Sequence, residues 1–162
     1  FGLVPAHSRL LSDRTGSLTR AKVRQFRAQL RLFQKRFPQI ILSIFLTELP
    51  TGTAVGEFAF WMANRARFSS AEKVRSENRN LFLLIDLAGG AAALTSGYGL
   101  EKYVPEETLQ NALQALAQKR EEQDLAAGIE ACIDSLSKDL RELAQDSADA
   151  GKKERPRGSE TW

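Results

Sequence analysis

Two strongly apolar segments, residues 40–46 and 81–87, constrain the fold of this chain more than any other feature. Neither alternates apolar with polar residues, and the second reaches its first charged residue only at Asp86. Strands with this pattern lie in the middle of a sheet and are covered on both faces. Each segment is also far shorter than the roughly 20 residues that a membrane-spanning helix needs. The sequence therefore predicts two central strands and no membrane span.

Helical patterns surround these two strands. A helix is predicted from Ser17, a suitable N-cap residue, to about Phe37, because Pro38 bars its continuation. Its apolar residues recur at helical spacing and are expected to face the core: Val23, Phe26, Leu30, Phe33 and Phe37. Three further helices are predicted, over residues 54–67, 105–119 and 124–143.

A short turn at Ala88, Gly89 and Gly90 leads from the second apolar strand into a returning strand over residues 91–96. A helical crossover between the two apolar strands implies parallel pairing, and the hairpin implies antiparallel pairing. The expected fold is α/β: a three-layer α/β/α sandwich with a mixed, mostly buried sheet. A single domain is predicted over residues 10–144, after an extended lead-in of residues 1–9 and before a disordered tail or linker of residues 145–162.

The charges of the chain are strongly segregated. Between Arg9 and Arg36 there are nine basic residues and one acid, Asp13, whereas the C-terminal half is acidic. Four of the bases form one row on the first predicted helix: Arg20, Arg24, Arg27 and Arg31. We call these four residues the basic row. Three interpretations are open: a solvated face, a docking face for an acidic protein, or a surface for anionic lipid or nucleic acid.

Residues for nucleophilic catalysis are scarce. The chain has one histidine, His7, in the lead-in, and one cysteine, Cys132, in the apolar register of the last predicted helix. Cys132 is therefore expected to be a small buried apolar residue, and no serine or cysteine triad can be assembled. There is also no glycine-rich loop of the kind that binds nucleoside triphosphates.

Several short motifs occur in a family-like order. They are an Asp-x-x-Gly-x-Leu turn in residues 11–18, Glu-Phe-Ala at residues 57–59, Gly-Tyr-Gly-Leu-Glu at residues 97–101, and Asp-Leu-Ala-Ala-Gly-Ile at residues 124–129. In this order the chain resembles the TPM domain, an α/β family of exported or membrane-anchored proteins that includes thylakoid-lumen members. The resemblance implies the same three-layer architecture and an exported or membrane-associated location in the periplasm, lumen or envelope.

The resemblance also implies a site at one edge of the sheet. Members of the family are associated with divalent metals, calcium in some, and some act as acid phosphatases. The corresponding metal ligands would be Asp13, Asn78 and Glu101. In a separate interpretation, which rests on the guanidinium group of Arg79 and not on the resemblance, the site would instead hold an anion through Arg79, Gly97, Tyr98 and Gly99. However, the loop before the second strand is Asn78-Arg79-Asn80, where the family has Asp-Asn-Gly. Because a carboxylate is lost and a cation is introduced, only weak binding of Ca²⁺ or Mg²⁺ is expected.

The function predicted from these features is a TPM-like accessory or interaction domain of the cell envelope, non-catalytic or weakly catalytic. The basic row would bind an acidic envelope protein. One alternative is a metal-dependent acid phosphatase-like domain, and another is a module that binds anionic membrane or nucleic acid. Nucleic acid is the less favoured partner, because no helix-turn-helix, zinc site or aromatic-basic strand accompanies the basic row.

Overall fold

The structure, a computed structural model, describes residues 10–65, 79–97, 99–101, 103–121 and 124–160. Its strands are β1 (Leu11–Asp13), β2 (Ile41–Thr47), β3 (Asn80–Asp86) and β4 (Ala91–Ser96). Its helices are α1 (Arg20–Arg36), α2 (Val55–Arg65), α3 (Glu106–Glu121) and α4 (Leu125–Glu160). None of these helices combines the length and the apolarity that crossing a membrane would require.

The four strands form one mixed sheet in the order β1-β2-β3-β4. β1, β2 and β3 are parallel, with Leu11 opposite Ile44 and Leu42 opposite Leu81. β4 returns antiparallel to β3, with Leu83 opposite Leu94. The parallel crossover and the antiparallel hairpin predicted from the connection lengths are both confirmed.

Helices cover both faces of the sheet. On one face α1, α3 and α4 enclose the larger core, which includes Phe26 and Leu30 of α1 and Ile44 of β2. On the other face α2 packs through Ala59 and Met62 onto a smaller core. All the residues of β3 from Leu81 to Asp86 are buried, as a central strand requires. The predicted three-layer α/β/α sandwich is therefore confirmed.

The approach of α4 to α3 depends on Gly128. A Cβ atom at this position would lie 3.1 Å from Leu116 Cδ1 and 3.2 Å from the Leu116 carbonyl oxygen of α3. A larger residue would therefore push the two helices apart. Asp124 precedes the helix and accepts a hydrogen bond from Ala127 N at 3.0 Å, which confirms its predicted capping role.

The structure differs from the sequence prediction at three places. β1 was not predicted, and it adds an outer strand beside β2. The N-cap of α1 is Thr19, which accepts from Lys22 N, and not Ser17, whose hydroxyl instead pairs with Thr15. The last helix does not end near residue 143 but continues to Glu160, so residues 145–160 of the predicted disordered tail are helical. Three alanines among residues 144–150 favour the first part of this extension, whereas Gly151, Pro156 and Gly158 do not favour the rest.

Candidate functional site

Asp13 ends β1 and organises the turn that leads into α1. Its Oδ1 accepts hydrogen bonds from Thr15 N at 2.9 Å, Thr15 Oγ1 at 2.6 Å and Gly16 N at 3.1 Å, and its Oδ2 accepts from Leu18 N at 2.9 Å. Gly16 adopts a φ of 68°, which favours glycine. The Asp-x-x-Gly-x-Leu motif is thus a turn in which backbone N–H groups of the turn itself donate hydrogen bonds to the Asp13 carboxylate.

The environment of Asp13 lowers the pKa of its carboxyl group. Partial burial raises the pKa, but the hydrogen bonds from the Thr15 side chain and from three backbone amides together outweigh it. A carboxyl group whose pKa is lower in the folded state stabilises the fold above its ordinary pKa, about 4, and loses this effect as the pH falls through the folded value. Asp13 therefore stabilises the turn at neutral pH.

We expect Asp13→Asn to reduce the free energy of unfolding most at pH 7, and the difference from the unsubstituted protein to shrink as the pH falls below about 4. Urea denaturation between pH 7 and pH 2.5 measures this difference. Thr15→Val, which removes one donor and keeps the carboxylate, should show a weaker form of the same pH dependence. A difference that is constant across the pH range would contradict the assigned role.

Asp86 lies at the carboxyl end of β3 and is 5% exposed. Its Oδ1 accepts from Leu49 N at 3.0 Å and from Ala88 N at 3.1 Å. A Cβ atom at Gly89 would lie only 2.7 Å from Asp86 Oδ2, so a larger residue there would have to displace the Asp86 carboxylate. Asp86 was interpreted as a turn-forming residue, and it also ties the loop after β2 to the hairpin.

Arg79, Gly97 and Gly99, the predicted anion-binding residues that the structure describes, lie at the other end of the sheet. Arg79 is exposed and immediately precedes β3, where its carbonyl oxygen accepts from Ile41 N at 2.9 Å. Gly97 follows β4 and donates to Asn80 O at 2.7 Å, and Gly99 is half-buried in the next turn. Asn78 and Tyr98 lie outside the described residues.

Asp13 and Glu101, the two predicted metal ligands that the structure describes, lie apart. Asp13 pairs with Leu46, five residues along β2 from Ile41, which pairs with Asn80. At about 3.3 Å per residue, Asp13 is therefore roughly 16 Å along the strands from the loop before β3. Glu101 follows β4, three inter-strand spacings of about 4.8 Å from β1, so it is also distant from Asp13. Asp13 therefore does not meet Glu101 or the start of β3 at one edge of the sheet, because β1 ends where the parallel β3 also ends, not where β3 begins.

The donors that the structure describes do not form a site for a divalent cation. Within the described ranges, no group of three or more His, Cys, Asp or Glu residues is placed to hold a metal ion. Asp13 already accepts four hydrogen bonds, and Asp86 holds two loops together. Cys132 is buried, as predicted, and burial raises the pKa of its thiol to about 12.

The basic row follows one side of α1. Arg20, Arg24 and Arg31 are exposed, and none of them forms an ion pair with any residue that the structure describes. Arg27 is half-buried, and its Nη2 donates to the Leu11 carbonyl oxygen of β1 at 3.3 Å. The row thus flanks the outer strand β1, with Arg27 bound to the sheet and the other three guanidinium groups facing solvent.

A cleft of about 420 Å³ follows the opposite outer strand, β4. Gly56 and Phe60 of α2 form one wall, the start of α3 and the loop before it form the other, and β4 residues from Ala93 to Ser96 form the floor. Among the described residues that line it, the charged ones are Glu101 and Glu106. We call this the β4 cleft. Glu101 was predicted as a metal ligand, and the structure places it at this cleft.

The sequence analysis missed the β4 cleft and the bond from Arg27 to Leu11. The one available signal was the composition of residues 91–96, an outer strand of alanine, leucine, threonine and serine without charge or proline. Charged residues and proline usually protect outer strands from pairing, and this strand has neither. The cleft also requires α2 and α3 to lie on opposite faces of the sheet, which no local pattern specifies.

Comparisons with known proteins agree with this architecture. The N-terminal domain of a protein from P. gingivalis is similar in structure, with a TM-score of 0.67, 18% identity, and coverage of 86% of this chain and 83% of that chain. The BA42 protein from Bizionia argentinensis has a TM-score of 0.64 and 10% identity, with coverage of 81% and 86%. The N-terminal domain of the cg2496 protein from Corynebacterium glutamicum has a TM-score of 0.61 and 13% identity, with coverage of 83% and 81%. At these identities the likeness is one of fold.

A search of curated proteins finds no significant match. The family model described as the TPM domain matches residues 11–139, from the start of β1 into the middle of α4. This range includes the Asp13 turn, the whole sheet and the packing of α3 on α4 through Gly128. The chain therefore belongs to the TPM domain family.

Proposed function

We propose that this chain is a protein-interaction domain of the cell envelope, non-catalytic or weakly catalytic, which binds an acidic partner protein through the basic row. One observation carries the proposal: Arg20, Arg24 and Arg31 are exposed on one side of α1 without an ion pair to any described residue. The neighbouring side of the helix is buried through Phe26, Leu30 and Phe33. The helix is therefore held rigidly while its guanidinium groups remain available.

The spacing of the exposed arginines sets the size of the partner surface. Arg20 and Arg31 are eleven residues apart on α1, which corresponds to about 16 Å along the helix. A partner with two or three carboxylates over that distance could pair with each guanidinium group through two parallel hydrogen bonds. No acidic residue lies in the first turn of α1, so no neighbour on the helix competes there.

Reversal of charge tests this surface. We expect Arg20→Glu with Arg24→Glu to leave the free energy of unfolding within about 0.5 kcal/mol, since both side chains are exposed. In affinity capture from an envelope extract, the double variant should lose an acidic protein that the unsubstituted protein retains at low salt and releases at high salt. The matched control is Lys138→Glu with Arg141→Glu on α4, which changes the net charge equally and should retain the partner.

Three outcomes would contradict the proposal. Equal loss of the partner in both double variants would mean that net charge alone governs capture. Equally strong binding to anionic vesicles or to random DNA would make the row a nonspecific polyanion surface. Hydrolysis of a phosphate monoester with Ca²⁺ or Mg²⁺, abolished by Asp13→Ala, would favour the phosphatase alternative.

A further inference from the structure

The open side of β4 offers unpaired backbone groups in a regular pattern. Gly97 N donates to Asn80 O, and the register pairs Leu81 with Ser96. In an antiparallel ladder this bond makes Leu81 and Ser96 a pair that is not hydrogen-bonded, and such pairs alternate along the strand. The backbone N–H and C=O groups of Ala92, Leu94 and Ser96 therefore point away from β3, and no other described residue pairs with them.

The surroundings of β4 leave room for one extended chain. α2 lies on one face of the sheet and the start of α3 on the other, and the cleft between them has about 420 Å³ of space. Gly56 contributes to the α2 wall, and a Cβ atom added there would contact nothing within 4 Å. The cleft thus has the dimensions and the exposed backbone that strand addition requires.

The two outer strands of the sheet differ in how well their outward backbone groups are protected from pairing with another chain. Leu10 O and Arg14 N bond to β2, so the backbone of Leu11 between them faces outward, and Arg27 occupies the Leu11 carbonyl oxygen. β1 is also only three residues long. No comparable protection is present on β4, which has neither charge nor proline.

The charges of the cleft indicate what kind of chain it accepts. Glu101 and Glu106 are exposed at its rim, and the lining residues that the structure describes include no basic one. A partner segment with lysine or arginine side chains would be attracted to these carboxylates. Glu106 Oε1 also accepts a hydrogen bond from Gln110 Nε2 of its own helix at 3.1 Å.

We propose that the β4 cleft binds an extended, basic peptide segment of a partner protein, which pairs with the backbone of Ala92, Leu94 and Ser96 as a fifth strand. The side chains of alternate peptide residues would face the two walls, and its basic residues would lie near Glu101 and Glu106. This surface is on the opposite side of the sheet from the basic row, so the two proposals stand independently.

A seven-residue peptide with blocked ends that alternates valine and lysine is a suitable probe. At saturating peptide, amide hydrogen exchange should slow by about tenfold at Ala92, Leu94 and Ser96. The amides of Ala93 and Thr95 already face β3 and should change little. This alternation distinguishes strand pairing from general stabilisation, which would protect all five amides alike.

Two variants should weaken binding of the peptide by about tenfold or more in fluorescence anisotropy. Glu101→Lys with Glu106→Lys removes the charge complementarity, and Gly56→Phe fills the cleft from α2. The matched control, Asp134→Lys with Glu142→Lys on exposed positions of α4, should bind normally.

Either of two results would overturn the proposal. One is binding of the peptide that leaves the exchange of Ala92, Leu94 and Ser96 unchanged. The other is protection of these amides that rises with protein concentration in the absence of peptide, since that would identify a second copy of this chain as the occupant.

Discussion

Replacement of Phe26 by alanine should lower the free energy of unfolding by about 3–5 kcal/mol, the largest loss that we expect from a single substitution in α1. Phe26 is 0% exposed and lies between α1 and the sheet, in the core that α3 and α4 also enclose. Because neighbours on several elements surround it, the cavity cannot collapse easily. Such a loss is a large part of the 5–15 kcal/mol that stabilises a typical domain.

Leu32 on the same helix provides the control. It is 63% exposed, so Leu32→Ala should change the free energy of unfolding by no more than about 0.5 kcal/mol. Chemical denaturation of both variants at 25 °C measures the difference. A loss below about 1 kcal/mol in Phe26→Ala would show that α1 is not packed on the sheet as described.

Removal of the Asp86 carboxylate should cost about 2–4 kcal/mol, because Asp86→Ala leaves two amide donors, Leu49 N and Ala88 N, without their acceptor. Asp86→Asn retains an acceptor oxygen and should cost less. The free energies of unfolding, measured by urea denaturation at neutral pH, should therefore rank the asparagine variant between the alanine variant and the unsubstituted protein.

The contact with Gly89 permits a sharper test. Gly89→Ala alone should cost about 1–3 kcal/mol, because its Cβ would approach the held Asp86 Oδ2 to 2.7 Å. In the Asp86→Ala background that oxygen is absent, so the same substitution should cost almost nothing. The double-mutant cycle must then be strongly non-additive. Additive losses would mean that Asp86 does not shape the hairpin turn.

The central part of the fold was predictable because its signals are local and strong. The apolar segments of β2 and β3 admit only buried strands, and the helical spacing of Phe26, Leu30 and Phe33 identifies the buried side of α1. Connection lengths then determine which strands are parallel. These predictions needed no knowledge of long-range contacts.

The candidate site was less predictable because it depends on β1. Leu11-Ser12-Asp13 is too short to show any strand pattern, and its pairing with β2 is a long-range contact. Without that strand, nothing in the sequence places Asp13 at the carboxyl end of the sheet. The family resemblance indicated the order of the motifs along the chain, but it gave no information on the distances between them in the fold.

The unequal protection of β1 and β4 limits how copies of this protein can assemble. Growth of a sheet from molecule to molecule requires two accepting strands on each subunit, one at each side. Here Arg27 occupies the outward carbonyl of the short β1, so continuation is available only through β4. Two copies that pair through their β4 strands form an isologous two-fold dimer, and no accepting strand is then left for a third copy. The fold is thereby protected from fibre growth by backbone pairing, even though one side of its sheet stays open.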